Sequence, residues 1–341
     1  MNLLITGGAG FIGSNLIRCV IDKPQVKKLI NLDCLTYAGH LENLAGIHGV
    51  HPRYAFEKVD LRDQDEVFRV MRQHDITHVM HLAAESHVDR SISGPADFIT
   101  TNINGTFNLL EAFRGQKSEI KAQQFLHVST DEVFGSLGAT GFFTETTPYA
   151  PNSPYSASKA SSDLLVRAYH RTYSVPTIIT HGSNNYGPYQ HPEKLIPVVI
   201  QSIFTRHSIP VYGDGLHVRD WLHVEDHCEA LWTVLTKGKT GETYNISGQN
   251  EKSNIELVQF MCDLIDEFQP ELGGNSRSLI TFVTDRPGHD RRYAMDIGKI
   301  SRELGWVPSH DFETGIRQTV KWYLEHQAWV GAVAGTRVAA H

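Results

Sequence analysis

The chain has 341 residues, 40% of them hydrophobic, with 38 acidic against 31 lysine and arginine side chains and a formal charge of −7. That length buries a large core, or one main domain plus a smaller lobe. The negative balance weighs against nucleic acid as a partner, while leaving room for a local basic pocket that takes an anion.

Asn2-Leu3-Leu4-Ile5-Thr6 is apolar and predicts a first strand. It runs into Gly7-Gly8-Ala9-Gly10-Phe11-Ile12-Gly13, a GxxGxxG loop, and then into a helical pattern from Phe11 to about Val20. Glycines at such a turn let the backbone approach a pyrophosphate, and the helix N-terminus offers N–H groups and the positive end of a dipole. A second strand, Lys28 to Leu32, ends at Asp33, twenty residues past Gly13. A carboxylate there holds a ribose diol and repels a 2′-phosphate, so the expected cofactor is NAD rather than NADP.

Tyr54 to Val59 predicts a strand ending at Asp60-Leu61. A helix follows from Asp63 to His74, with Asp63 as N-cap and Glu66 placed for a capping box. Thr77 to Leu82 predicts a strand ending in Ala83-Ala84-Glu85-Ser86. Pro95 to Arg114 predicts one long helix. Gln124 to Val128 predicts a strand that leads into Ser129-Thr130-Asp131-Glu132. A helix from about Pro154 to Tyr173 places Tyr155 and Lys159 one turn apart on one face. Pro176 to Thr180 continues the alternation, and later helices are expected at about Glu193–Arg206, Val224–Leu235 and Ser253–Phe268.

Alternation of this kind predicts an α/β, Rossmann-type fold: a doubly wound parallel sheet with right-handed crossovers and a smaller C-terminal substrate-binding lobe. Residues 1–183 read as the NAD-binding domain, and 184–326 mainly as the lobe, with the chain crossing between the two. Residues 327–341 read as a frayed tail. Ligands in such sheets bind beyond the carboxyl ends of the strands. Gly7–Gly13, Asp33, Asp60, Ala83–Ser86 and Ser129–Glu132 all fall there, which argues for one shared site.

The 4 cysteines, Cys19, Cys34, Cys228 and Cys262, are scattered and lack a CxxC, so reduced thiols are expected. The 19 histidines include no HExxH, and His78 and His81 lie on a strand at a spacing that points them to opposite faces, so no metal is expected. No signal peptide or membrane-spanning apolar run is legible, which points to a cytoplasmic enzyme.

Tyr155 with Lys159 a turn away is a way to make a phenolate near neutral pH. A hydroxyl and two adjacent carboxyls, Thr130, Asp131 and Glu132, add more acid/base capacity than hydride transfer needs. They point to oxidation coupled to a second proton-moving step, such as elimination of water.

These residues resemble the extended short-chain dehydrogenase/reductases, and within them the nucleotide-sugar 4,6-dehydratases. The resemblance spans about residues 1 to 325. It is carried by Gly7–Gly13, Asp33–Gly39, Leu82–Asp89, Ser129–Glu132 and Tyr155–Lys159, and further by Ser183–Tyr189, Pro192–Leu195, Pro210–Gly215, Arg219–Trp221 and Asp285–Tyr293. It implies a lyase that takes dTDP-glucose to dTDP-4-keto-6-deoxy-glucose and water with one bound NAD, in deoxysugar biosynthesis. C4 is oxidised, water leaves across C5 and C6, and C6 is reduced.

By the same resemblance Tyr155, Lys159 and Thr130 serve oxidation at C4. Glu132 removes the C5 proton, and Asp131, kept protonated by burial and its neighbour, protonates the leaving C6 hydroxyl. A free tyrosine has a pKa of about 10. A unit charge roughly 5 Å away at an effective dielectric of about 20 is worth about two pKa units. Lys159 and the oxidised nicotinamide together are therefore expected to bring Tyr155 into range.

The cofactor contacts implied are Gly7, Gly10, Phe11, Ile12, Gly13, Asp33, Cys34, Leu35, Thr36, Asp60, Leu61, Leu82, Ala83, Ala84, Glu85, Ser86, Thr101, Ser129, Tyr155, Lys159 and Asn185. The substrate contacts implied are Ser86, Thr130, Asn184, Lys194, Leu195, Pro210, Val211, Tyr212, Arg219, Asn254, Asp285, Arg286 and His289. Two of these cations suit a diphosphate. A homodimer is implied, its two long helices pairing with their symmetry mates. Two other readings stay open on the residues. One is a UDP- or CDP-sugar dehydratase or a nucleotide-sugar 4-epimerase. The other is a non-catalytic NAD-sensing protein, which the intact Thr, Asp, Glu, Tyr and Lys set disfavours.

Overall fold

A computed structural model describes residues 1–116, 123–272 and 274–334. The first half repeats strand and helix: β1 (Asn2–Thr6), α1 (Phe11–Val20), β2 (Lys28–Asp33), β3 (Tyr54–Lys58), α2 (Gln64–Gln73) and β4 (His78–His81). Then come α3 (Val88–Ser93), α4 (Ala96–Phe98), α5 (Thr106–Arg114), β5 (Gln124–Thr130), α6 (Pro154–Tyr173) and β6 (Thr177–Gly182). The second half contributes β7 (Asn184–Tyr186), α7 (Leu195–Thr205), β8 (Ile209–Tyr212), β9 (Val218–His223), α8 (Val224–Lys237) and β10 (Thr243–Ile246). It closes with β11 (Glu251–Ser253), α9 (Asn254–Phe268), β12 (Ile280–Val283), α10 (Gly298–Leu304), α11 (Phe312–Glu325) and α12 (Gln327–Ala334).

Seven strands form one sheet in the order β10-β6-β5-β4-β1-β2-β3, and every pairing in it is parallel. The chain order reverses beside β1, which opens a crevice at the carboxyl ends of β1 and β4. Side chains of β1 alternate between the two faces. Leu3 and Ile5 join Leu16, Ile17 and Val20 of α1 and the apolar face of α8, while Leu4 packs with α2, α5 and α6 residues on the other side. Both faces are covered, so the strands read as nearly unbroken apolar runs. A further core lies among α7, α9 and α11. Beside it stand a three-stranded sheet, β11-β9-β7, and the pair β12-β8. β10 returns from the second half to the edge of the main sheet beside β6, so the chain does cross back.

Local sequence explains the ends of the helices that matter here. Ser153 caps α6 by accepting from Ser156 N–H at 3.1 Å, with Pro154 in the first turn. Ser253 and Glu256 form a full capping box at α9. At α2 the box is half made: Asp63 accepts from Glu66 N–H at 3.2 Å, but the Glu66 carboxylate turns to Arg69.

Two expectations are corrected. The segment Pro95–Arg114 is helical but not a single α-helix, because a π-helical stretch, Ile99–Gly105, separates α4 from α5. Residues 327–334, expected to fray, form α12. Val330 and Val333 of that helix are buried, and the neighbouring Trp329 donates its indole N–H to Asn43 Oδ1 at 2.8 Å. The rest of the expected tail, 335–341, lies outside the described residues.

Candidate active site

A cavity of about 500 Å³ runs along the carboxyl ends of β1, β2, β4 and β5 and reaches into the second half of the chain. Its floor is the glycine loop. Gly7 has φ +70°, and a Cβ there would sit 2.8 Å from the Ala83 backbone. A Cβ on Gly13 would meet the Gly7 carbonyl oxygen at 2.1 Å, so loop, helix and neighbouring strand end pack too closely for any side chain. α1 opens into the cavity with no side-chain cap, which leaves its N-terminal N–H groups and dipole for a ligand. The buried Asp33 carboxylate closes β2. Its Oδ2 accepts from Ala9 N–H at 2.9 Å and its Oδ1 from Leu35 N–H at 2.8 Å, and each oxygen keeps a lone pair for a further donor. Uncapped helix, glycine floor and aimed carboxylate fit the phosphates and ribose diol of a dinucleotide.

Other expected cofactor residues line the same cavity: Gly10, Phe11, Ile12, Cys34, Thr36, Asp60, Leu61, Leu82, Ala83, Ala84, Glu85, Ser86, Thr101 and Asn185. Leu35 does not line it. It acts through its backbone, at φ +57°, by fixing Asp33. Asp60 is held by Arg62 at 2.6 Å, and that guanidinium pulls its carboxyl below the usual range. Burial, then the charge of Asp33, pushes the Cys34 thiol up to about 11, so it is a packing group and not a nucleophile. Ser129 lines the cavity, but its hydroxyl turns away to Asp163 at 2.9 Å.

Thr130, Asp131, Glu132, Tyr155 and Lys159 converge at the deep end. Thr130 ends β5 and caps the short 3-10 turn Asp131–Phe134, its Oγ1 accepting from Glu132 N–H at 3.3 Å and donating to Asp131 Oδ1 at 3.2 Å. That turn aims two consecutive carboxyls into one space. Burial first, then the charge of Glu132, pushes Asp131 well above the usual carboxylate range. Among the described residues its Oδ2 is buried without a partner, as suits an acid kept protonated for a ligand. Glu132 is also raised by burial, but Arg286, Arg219 and Lys194 oppose that rise. The two acids are thus in different environments and have separable states.

The Tyr155–Lys159 pair departs from the simplest expectation. Burial, then the charge of Glu132, pushes the Tyr155 phenol up, and only Thr130 among the leading influences pulls it down. Lys159 is buried, and its Nζ donates to the Val128 carbonyl at 2.9 Å. Burial lowers it to about 8. The chain alone does not make a phenolate, and the positive charge required is not supplied by Lys159 alone.

The expected substrate residues divide. Ser86, Asn184 and Lys194 line the cavity; Lys194 Nζ donates to the Ser86 carbonyl at 3.3 Å, and Asn184 Oδ1 is buried without a partner among the described residues. Tyr212, Asp285, Arg286 and His289 form a neighbouring cluster. There Asp89 meets both Tyr212, at 3.3 Å, and Arg286, at 3.4 Å. Asp285 is shared between His217, at 3.3 Å, and His289, at 2.6 Å, whose rings stack. Arg219 is buried, donates to the Val218 and Asp290 carbonyls, and lies 4.4 Å from the centroid of the Tyr293 ring. Leu195 packs against the third core, Pro210 is exposed, and Asn254 opens α9. The Val211 side chain is buried in the third core.

Sequence reasoning missed several residues. Gln190, His191, Glu193 and His227 also line the cavity. Asn102, on the π-helical stretch, donates to the Glu85 carbonyl at 3.0 Å and to Ser158 Oγ at 2.8 Å, and accepts from Glu85 N–H at 2.8 Å. The signal available was a polar residue on the buried stripe of the segment, which it shares with Thr106 and Asn108.

Fold and site together define a Rossmann-type enzyme of the short-chain dehydrogenase/reductase class, with a Tyr–Lys pair and an added acidic pair. The sequence profile of the family described as GDP-mannose 4,6 dehydratase matches residues 4–319. The chain belongs to that family. A dTDP-glucose 4,6-dehydratase from Shigella flexneri is 57% identical over 344 residues, covering 97% of this chain and 94% of that one. The structure of a dTDP-glucose 4,6-dehydratase from Streptomyces venezuelae with NAD and TYD bound superposes with a TM-score of 0.90 at 45% identity, over 98% of this chain and 100% of that one. A dTDP-glucose 4,6-dehydratase from Bacillus anthracis in complex with NAD gives 0.87 at 46% identity, over 98% and 99%.

Proposed function

We propose that this chain is an NAD-dependent dTDP-glucose 4,6-dehydratase, releasing dTDP-4-keto-6-deoxy-glucose and water. The observation that carries the reading is buried Asp131 next to half-buried Glu132 beside Tyr155, with Asp131 Oδ2 unpartnered among the described residues and its carboxyl raised. Simple oxidation or epimerisation at C4 has no use for a second, protonated acid.

NAD, when bound, supplies the acceptor for the hydride leaving C4, the donor that returns one to C6, and a positive charge near Tyr155. The Gly7–Gly13 loop, the α1 N-terminus and Asp33 hold it. Tyr155 takes the C4 hydroxyl proton, with Thr130 hydrogen-bonded to the same oxygen. The ketone left at C4 acidifies the C5 proton, which Glu132 removes and later replaces at C5 when C6 is reduced. Asp131 protonates the C6 hydroxyl as it leaves as water. Lys194, Arg219 and Arg286 hold the diphosphate; their pull on Glu132 places their charges near that acid.

A homodimer is part of the reading. Ile99 and Phe107 on the α4–α5 segment and Leu164 and Tyr173 on α6 are large apolar side chains left exposed on neighbouring helices. Among the described residues no helix is long and apolar enough to cross a membrane. The four cysteines are free, which suits the cytoplasm.

The test is incubation of purified protein with dTDP-glucose, without added cofactor, followed by mass analysis. Loss of one water is expected. A product of unchanged mass, or dehydration of UDP-glucose but not of dTDP-glucose, overturns the reading.

A further inference from the structure

Strands β4, β5 and β6 each carry a histidine near the carboxyl end, and register gathers them. His81 pairs with His127, and Ser129 with His181. All are buried, and beneath them lies one carboxylate, Asp163, 1% exposed. Asp163 stands on α6 one turn beyond Lys159 and two beyond Tyr155, so the three share a stripe of that helix. Its Oδ2 accepts from Ser129 Oγ at 2.9 Å and meets His181 Nε2 at 3.2 Å. His127 Nε2 lies 3.2 Å from Oδ1 but out of hydrogen-bond alignment. A structural acid in such a place is usually paired with a cation by a direct bond. Lys159 instead gives its hydrogen bond to a neutral carbonyl, that of Val128.

We propose that Asp163 is a positioning residue for the Tyr155–Lys159 pair: a buried carboxylate, held by Ser129 and His181 with His127 beside it, that keeps the Lys159 ammonium charged. Burial opposes the charge on Asp163, but the carboxylate is bonded by Ser129 and His181 with His127 alongside, and it lies below the usual range. At Lys159 the Asp163 charge is the influence that opposes burial. The other titratable groups facing the pair are His81 on β4, His127 on β5, His181 on β6, and Tyr149 ahead of α6. Burial drives His81 well down and, with Lys159, His127 to about 4, so both are neutral. Burial raises Tyr149, beside which Arg167 stands, and Tyr155, which Glu132 and Asp131 face from the cavity. None of these phenols or neutral imidazoles replaces the negative charge of Asp163.

The inference rests on the proposed reaction only for the use made of Lys159, so the first test needs no substrate. The Lys159 side chain is followed by 13Cε lysine NMR against pH and assigned by its loss in Lys159→Met. The wild type is expected to titrate near pH 8, and Asp163→Asn about one to two units lower. Equal midpoints overturn the proposal. If Asp163→Asn does not fold, the wild type decides: a Lys159 signal already neutral at pH 7 overturns it, and one still charged there supports it. In turnover, the alkaline limb of kcat should move down by the same interval. A uniform fall in kcat at every pH, with an unmoved limb, marks a merely structural role and overturns the proposal. A chain that failed to dehydrate dTDP-glucose would still give the NMR answer.

Discussion

Lys159 Nζ donates to the Val128 carbonyl at 2.9 Å, tying the helix that carries Tyr155 to the strand that ends in Thr130. The bond uses the ammonium form. Burial lowers Lys159 to about 8, so that form is held below pH 8 and lost as pH rises through it. The expected outcome is a kcat that falls on the alkaline side with a midpoint near 8 under saturating substrate. Lys159→Met should lower kcat by about 10²–10⁴. A flat profile to pH 10 would remove Lys159 from the reaction.

Asn102 joins the π-helical stretch to the Glu85 backbone and to Ser158 through three hydrogen bonds. π turns re-aim a side chain that the α-helical period would point elsewhere. Asn102→Ala leaves buried donors and acceptors unpaired and should cost about 2–3 kcal/mol of stability. Denaturant unfolding measures it, and a loss below about 0.5 kcal/mol would show that the contacts are incidental.

The strand–loop–helix–strand unit from Asn2 to Asp33 was legible because its glycines and its apolar alternation each have a physical cause in the sequence. So were the starts of α6 at Pro154 and of α9 near Ser253. The π turn was not, since a one-residue excess leaves no mark in a 3.6-residue period. Nor was the group of His81, His127 and His181. Each reads alone as a core histidine on a strand, and only the register of three neighbouring strands places them around Asp163. Val211 shares its motif with the exposed Tyr212, but alternation along β8 turns the Val211 side chain inward.

Asp131 is raised well above its ordinary value by burial and by Glu132. A raised carboxyl binds more protons folded than unfolded, so its contribution to stability falls as pH rises from about 4 toward the folded value. Asp131→Asn removes that loss. It should raise Tm at pH 7 to 8 by about 2 °C while impairing turnover, and the gain should shrink as pH falls toward 4. Calorimetry across pH tests it; an equal or lower Tm at pH 8 would mean that Asp131 is ionised in the folded chain.

Exposed Phe107 and Leu164 lie on the α5 and α6 faces proposed to meet a second copy. Leu164→Asp should shift the mass seen by light scattering from dimer to monomer at micromolar concentration. A wild type that is already monomeric there would remove the dimer.

Tyr155 and the Asp131–Glu132 pair should fail at different points of the reaction. Asp131→Asn keeps shape but loses the ionisable proton. It should still oxidise C4, seen in a single turnover as absorbance near ~340 nm from reduced cofactor, and then stall before water leaves. Glu132→Gln should stall at the same stage and also slow entry of solvent deuterium at C5. Tyr155→Phe should suppress the first absorbance change itself, because no base takes the hydroxyl proton. General acid–base groups contribute about 10²–10⁴-fold, so each defect is large enough to separate. Thr130 pulls the Tyr155 phenol down and donates to Asp131, so Thr130→Val should show part of both defects. In the wild type, deuterium placed at C4 should be found at C6 of the same sugar. Dehydration by Asp131→Asn at the wild-type rate, or loss of the label to solvent, would end the assignment of these roles.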